Sequence, residues 1–269
     1  MFTASRTSLK LRIASGRTLP AIWCALGAPV IVEAAARAKP EVIVLDKQHG
    51  LFDRSTLEAA IGLVPPDVSA MVRVAENSET AIGEALDAGA EGVIVPLVET
   101  AKQARRAVRY AHFPPFGERS GGGVRPLAEF GGYFERAKAH TVVAVMIETR
   151  RGVKNAREIA RVPGVDMVFI GTGDLAISVG SFPDFDLKVM RAAATVHRAC
   201  RKAWTPCGIF TPNAGVAAMR RAHGYRMVVV ANDIEVVAKG FADAMKAFAS
   251  APSRPPVPTA AGELPTIGT

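Results

Sequence analysis

Two acids stand at matching places in the stretch from Val142 to Gly180, VVAVMIETRRGVKNAREIARVPGVDMVFIGTGDLAISVG. Glu148 closes the apolar run VVAVMI, and Asp174 follows MVFIGTG, with a helix-like segment between the two runs. Near-continuous apolar runs of this kind fit parallel strands buried on both faces. Neighbouring parallel strands lie roughly 5 Å apart, so acids at their carboxyl ends can share one cation. Hard divalent metals take such oxygens, usually one or two carboxylates with water and substrate completing the shell. The Gly-Thr-Gly run before Asp174 also lets the main chain approach a ligand closely at a helix start, where free N–H groups favour an anion. Together these features suit a small acid held against a metal.

Other polar residues fall at the ends of apolar runs. In SAMVRV, period-two counting places Met71 and Arg73 on one face. A lone arginine there must reach solvent or an anion, because burying it unpaired is costly. It reads either as an ion pair in a barrel mouth or as charge stabilisation for an enolate or alkoxide. In LDKQHGLFD, His49 lies three residues beyond Asp46. An acid that orients an imidazole raises its basicity and fixes its tautomer, as proton transfer requires. Structural readings compete: Glu148 as a loop acid, Asp174 as a helix cap. Two acids on successive strands favour ligation. Asn232 and Asp233 read as caps of the last helix, and Thr211-Pro212-Asn213 as a helix entry. Trp23 and Trp204 read as core aromatics, and His112, His140, His197 and His223 as surface residues.

These residues need a scaffold that brings strand ends together, and the chain supplies eight apolar segments: Ile22–Leu26, Val42–Leu45, Ala70–Val74, Gly92–Leu97, Val142–Ile147, Met167–Ile170, Pro206–Phe210 and Arg226–Ala231. Amphipathic stretches alternate with them, at Val30–Ala38, Ser55–Val64, Glu79–Ala88, Thr100–Tyr110, Arg151–Ala160, Asp186–Lys202, Ala214–Ala222 and Asp233–Phe248. Such alternation argues for βαβ units and a parallel sheet. Eight of them in 269 residues predict an α/β protein, a single (β/α)8 TIM barrel. No GxGxxG follows the first strand, so dinucleotide binding has little support. The connection Ala111–Ala139, with six glycines, is too long for a simple turn and reads as a lid or subunit-contact segment. The predicted organisation is an amino-terminal extension (1–20), the barrel (21–250) and an extended or disordered proline-rich C-terminal tail (251–269).

Composition narrows the class further. At 49% hydrophobic and 22% charged residues the chain fits a soluble globular protein, and no apolar run reaches the roughly 20 residues of a membrane helix. The amino terminus lacks a signal-peptide hydrophobic region, so a cytoplasmic protein is expected. Cys24, Cys200 and Cys207 have no metal or redox spacing and read as reduced thiols. The net charge of +8 comes without basic clusters interleaved with aromatics, which are only 6% of residues. That argues against nucleic acid and for a general attraction to anionic substrates.

LDKQHGLFD, MVRVAENSETAIGEALDAGAEGVIVPLVETAKQA, PPFGERSGGG and VMIETRRGVKNAREIARVPGVDMVFIGTGDLAISVG together resemble the HpcH/HpaI aldolase family, from about Ala21 to Phe248. These are class II, metal-dependent pyruvate-type aldolases on a (β/α)8 barrel, more distantly related to citrate lyase β-like enzymes. The resemblance implies a divalent metal, Mg²⁺ foremost with Mn²⁺ or Co²⁺ as alternatives, on Glu148 and Asp174. The carboxylate of a 2-oxo acid would lie at the main chain of Gly173 and Asp174. It further implies Arg73 as enolate stabiliser, His49 as base with Asp46 beside it, and Asp87 as an acid that raises the basicity of His49 across a subunit contact. The reaction implied is retro-aldol cleavage of a 4-hydroxy-2-oxo acid to pyruvate, or a close 2-oxo acid, and an aldehyde, and its reverse. The implied assembly is a homo-oligomer, hexamer or trimer. Alternative readings are an acyl-CoA lyase and a non-catalytic ligand- or nucleic-acid-binding barrel. Three departures stand out: Gln48 where the family usually has Glu, Met146 where it often has Gln, and RSGGGVR in place of an arginine-glycine-x-glycine loop.

Overall fold

Side-chain alternation along eight short strands builds a ring. In the computed structural model, which describes residues 7–251, the strands are β1 (Leu19–Cys24), β2 (Val42–Asp46), β3 (Ser69–Arg73), β4 (Gly92–Val95), β5 (Val142–Ile147), β6 (Met167–Ile170), β7 (Cys207–Ile209) and β8 (Met227–Asn232). All neighbours pair in parallel, and β8 pairs with β1 to close the barrel. The (β/α)8 barrel expected from the alternation is the observed fold. Beyond Ala251 the tail lies outside the described residues, as do residues 1–6.

Each strand splits its side chains between two apolar layers. Leu19, Ala21 and Trp23 of β1, Val42 and Val44 of β2, Met71 of β3, Val142, Ala144 and Met146 of β5, and Met167 and Phe169 of β6 fill the inner cluster. The intervening residues, such as Ile43, Leu45, Val72, Val143 and Val145, join an outer cluster beneath the helices. A period of two leaves no other division. Gly208 of β7 faces inward and makes the room for Phe169, whose ring a Cβ there would meet at 2.6 Å.

The helices after each strand are α2 (Pro29–Arg37), α3 (Arg54–Leu63), α4 (Glu79–Asp87), α5 (Ala101–Ala111), α8 (Arg150–Lys154) with α9 (Ala156–Ala160), α10 (Thr172–Val179) with α11 (Leu187–Ala203), and α12 (Ala214–Ala222). Side-chain caps fix several starts: Ser78, Thr100, Asp186 and Asn213 each accept an N–H from the first turn. Asn213 is thus the helix entry anticipated for it. Before the barrel, α1 (Leu9–Ala14) buries Leu9 and Ile13 in the inner cluster, and Arg12 pairs with Glu41 at 2.6 Å. A six-residue helix therefore plugs the end where the strands begin.

The connection from Ala111 to Ala139 is more ordered than a loop, with α6 (Val124–Leu127) and α7 (Phe130–His140). Phe113, Phe130 and Phe134 pack together there at centroid separations of 5.1 to 6.4 Å. Three other expectations change. Trp204 is 95% exposed rather than core, because it follows α11 in the turn outside the barrel wall. Asp233 opens the last helix, as expected of its position, but its carboxylate turns to the N–H groups of Ala25 at 2.9 and 3.0 Å and of Leu26 at 2.9 Å, fastening the seam between β8 and β1. His112, His140 and His197 are half-buried rather than free on the surface.

Contacts divide the chain into two units, residues 1–234 and Glu235–Thr269. The first holds the barrel and α1–α12. In the second, the described residues continue the helix α13 (Asp233–Ser250), with Val236, Phe241, Met245 and Phe248 exposed and Lys239 paired with Asp243 at 2.5 Å. Among the described residues no helix is long and apolar enough to cross a membrane.

Candidate active site at the carboxyl end of the barrel

The inward rows that carry apolar residues low in the barrel carry polar ones at its carboxyl end. Asp46 continues Val42 and Val44, Arg73 continues Met71, and Glu148 continues Val142, Ala144 and Met146. Asp46 and Arg73 are register partners across β2 and β3, so both side chains enter the same level of the mouth. The guanidinium grips the carboxylate with two nitrogens, Nε to Oδ1 at 2.9 Å and Nη2 to Oδ2. Trp23 adds its indole N–H to Asp46 Oδ2 at 3.2 Å, and its ring lies 5.1 Å from the Arg73 guanidinium carbon. Burial alone would push the Asp46 carboxyl up, but the bonds and charge of Arg73 outweigh it and hold the group below its ordinary value.

Asp46 also organises the loop that follows it. Its Oδ1 accepts the main-chain N–H of Gln48 at 3.0 Å and of His49 at 3.2 Å. The contact to His49 is thus through the backbone; the imidazole itself is exposed. Gln48 Oε1 is buried without a hydrogen-bond partner. An orphaned acceptor beside the mouth is a group that a bound molecule or water could satisfy.

On the facing side, Glu148 is 2% exposed, and its Oε1 accepts the Leu97 N–H at 2.8 Å. Leu97 presents that N–H from a left-handed backbone, φ +53°, a conformation a branched side chain rarely adopts. The Asp174 carboxylate lies near enough to Glu148 for its charge to act on it. Burial foremost, and then the Asp174 charge, push Glu148 up to about 7, against the pull of the Leu97 N–H and the Arg73 charge. Gly171 permits the arrangement, since a Cβ there would lie 2.3 Å from Glu148 Oε2. Asp174 is the third residue of α10 and Gly171 its N-cap, so Asp174 is not the capping residue. Gly173 and Asp174 belong to the first turn, whose N–H groups lack partners within the helix.

Glu148 and Asp174 act on each other electrostatically, and with Asp46 they outnumber the one cation, Arg73, so the site as built has an excess of negative charge. Among the described residues no group of three or more His, Cys, Asp and Glu is placed to hold a metal. A two-carboxylate site nevertheless suits a hard divalent ion that keeps water and substrate oxygens in its shell. The crowded carboxyls, the space left by Gly171 and the raised Glu148 therefore fit such an ion.

Asp87 lies at the end of α4 and is ion-paired with Arg119 at 2.7 Å; the same Arg119 nitrogen donates to the Tyr133 hydroxyl at 2.8 Å. Gly123 passes so close that a Cβ would lie 2.8 Å from Asp87 Cβ. Asp87 thus belongs to the anchorage of the glycine-rich connection.

Sequence reasoning placed Trp23 in the core, where it is, without its bond to Asp46, took Gly171 as part of a run open to a ligand rather than as the neighbour of Glu148, and missed Leu97. Period-two counting through LPAIWC puts Trp23 on the inner row with Leu19 and Ala21, which was the available signal. Nothing in the sequence betrays the Leu97 N–H, because any residue there would carry one.

A family model described as HpcH/HpaI aldolase/citrate lyase matches residues 20–240. A 4-hydroxy-2-oxovalerate aldolase from Rhodococcus jostii is 35% identical over 86% of this chain and 92% of its own length. A hydroxypyruvate/pyruvate aldolase from Rhizorhabdus wittichii is 35% identical over 82% and 90%. A crystal structure of an HpcH/HpaI aldolase/citrate lyase family protein from Burkholderia cenocepacia aligns with a TM-score of 0.85 and 31% identity, covering 90% of this chain and 99% of that one. The family model and these relatives define the class as a lyase on a (β/α)8 barrel. The chain belongs to the HpcH/HpaI aldolase/citrate lyase family, and its chemistry is that of an aldolase.

Proposed function

We propose that this enzyme cleaves a 4-hydroxy-2-oxo acid into pyruvate, or a close 2-oxo acid, and an aldehyde, and catalyses the reverse addition. The observation that carries the reading is the approach of Glu148 to Asp174 opposite the two-pronged Arg73–Asp46 pair. Glu148 and Asp174 are the residues to hold a divalent ion, Mg²⁺ first and Mn²⁺ or Co²⁺ as substitutes. When bound, that ion supplies Lewis-acid polarisation of the 2-oxo group.

The chain's own residues do the rest. The first-turn N–H groups at Gly173 and Asp174 receive the substrate carboxylate. Arg73, held in place by Asp46 and Trp23, presents its remaining N–H groups to the oxygen on which enolate charge develops as the C3–C4 bond breaks. His49 accepts the proton of the 4-hydroxyl through a water as the aldehyde leaves and delivers it to C3 of the enolate to give pyruvate; the addition direction runs the same transfers in reverse. Asp46 sets the backbone of the His49 loop. Asp87, ion-paired with Arg119, is assigned the part of raising the basicity of His49 across a subunit contact. The proposal includes a cytoplasmic homo-oligomer, hexamer or trimer.

A retro-aldol screen of 4-hydroxy-2-oxo acids coupled to pyruvate detection tests it. Activity should vanish with EDTA and return with excess Mg²⁺ or Mn²⁺. Activity that persists after chelation excludes the metal-dependent route. Cleavage of malyl- or citramalyl-CoA alone would instead mark an acyl-CoA lyase.

A further inference from the structure

A cavity of about 590 Å³ opens at the amino-terminal end of the barrel, away from Glu148 and Asp174. It lies between the segment joining α1 to β1, the last turns of α11, and the turns that lead into β7 and β8. Its size is within the roughly 300–1,000 Å³ usual for small-molecule sites. Arg198, Arg201, Lys202 and Arg226 line it, and no acid does. Among the described residues, none of these four forms an ion pair, in contrast to Arg12, Arg17, Arg73 and Arg119. Arg226 is anchored by donating to the Gly16 carbonyl at the cavity edge.

Cations in the final turn of a helix complement its dipole, which accounts for Arg201 and Lys202. It does not account for Arg198, one turn earlier, or for Arg226, which comes from the opposite wall. Nor does it account for Trp204. This residue lines the same cavity, yet is 95% exposed and adopts a left-handed backbone, φ +58° and ψ 24°. The left-handed turn is the C-terminal cap of α11, with the Trp204 N–H bonded back to the Arg201 carbonyl and the Thr205 N–H to that of Cys200; it requires no tryptophan, and the indole it leaves uncovered stands at the cavity rim.

We propose that this cavity is a second ligand site, distinct from the aldol centre, and that it takes a nucleotide. The phosphates lie among Arg198, Arg201, Lys202 and Arg226, where guanidinium groups match phosphate oxygens in shape and charge. The base stacks on Trp204 at the rim, as flat rings do on exposed aromatics. The cations converge on a concavity rather than running along a surface stripe, which favours a mononucleotide over an extended nucleic acid.

Calorimetric titration of the full-length protein in EDTA at low salt tests the site, with ATP, inorganic triphosphate and a short single-stranded RNA as separate titrants. ATP should bind saturably with one site per chain, more weakly as salt rises, and several-fold tighter than triphosphate. Trp204→Ala should abolish that preference and leave triphosphate binding unchanged. Arg198→Ala and Arg201→Ala, both on exposed positions, should each weaken both ligands by about tenfold, about the loss of one charged contact, while leaving retro-aldol activity at the wild-type level. Absence of ATP binding at millimolar concentration overturns the proposal. So does affinity indifferent to the arginine substitutions, equal binding of ATP and triphosphate, or binding of RNA alone.

Discussion

Arg73 carries a charge that is already engaged: two of its nitrogens hold Asp46, and its plane is steadied by Trp23. In the role proposed for it, Arg73 therefore acts by orientation as well as by sign. Arg73→Ala should lower the retro-aldol rate on the order of 10² or more. Arg73→Lys keeps the charge but cannot reproduce the fork, so it should recover only a small part of that rate; full recovery in steady-state kinetics would reduce the role of Arg73 to charge alone. Gly171 allows a second test. A methyl group 2.3 Å from Glu148 Oε2 must displace the carboxylate, so Gly171→Ala should weaken Mg²⁺ binding at least tenfold by calorimetry while the barrel still melts cooperatively. At this scale the sequence was informative wherever a charged side chain ended an apolar run, as at Asp46, Arg73 and Glu148. It was silent where the main chain does the work, as at Leu97, and where a side chain such as Asp233 bonds a backbone 208 residues away.

Among the elements, α1 and α7 were the least legible. The six residues LKLRIA are too few to show helical periodicity, and only the plug they form against Leu19 and Met227 explains them. Ile13→Ala removes buried methylenes from that plug and should destabilise the protein by about 2–5 kcal/mol. The shift in urea midpoint measures it, and an unchanged midpoint would mean the plug contributes no stability. In α7, Gly131 and Gly132 in the first turn mask the helix, since glycine is a poor helix former; the phenylalanine cluster of Phe113, Phe130 and Phe134 supplies what propensity lacks. The strands, by contrast, were nearly complete in the sequence. Their β-branched runs have one period and one way to divide it, although β1 runs Leu19–Cys24 where the sequence pattern placed it at Ile22–Leu26. The strand reading at β4 ran on to Leu97, but the left-handed turn there ends the ladder at Val95.

For the molecule as a whole, the buried Glu148 couples stability to pH and to metal. Its carboxyl is raised from 4.5 to about 7, so between those values the folded protein retains a proton that the unfolded chain has lost. Stability is therefore greatest, as far as this group is concerned, below about pH 4.5 and declines as pH rises through about 7. The full effect is at most about 3 kcal/mol. In EDTA the melting temperature should fall on going from about pH 5 to about pH 8. Glu148→Gln should flatten that decline, and saturating Mg²⁺ should offset it by binding the folded state alone. A chelated wild-type profile matching that of Glu148→Gln would remove Glu148 as the source.

A closed ring of strands has one vulnerable place, where the polypeptide's first strand meets its last, and here Asp233 acts as the rivet. The backbone it grips at Ala25 also receives the Leu51 N–H at 2.8 Å, two residues beyond His49. Breathing of that joint is passed through a single residue to the loop bearing the proposed base. Wholeness of the cylinder and order in its reactive rim must rise and fall together.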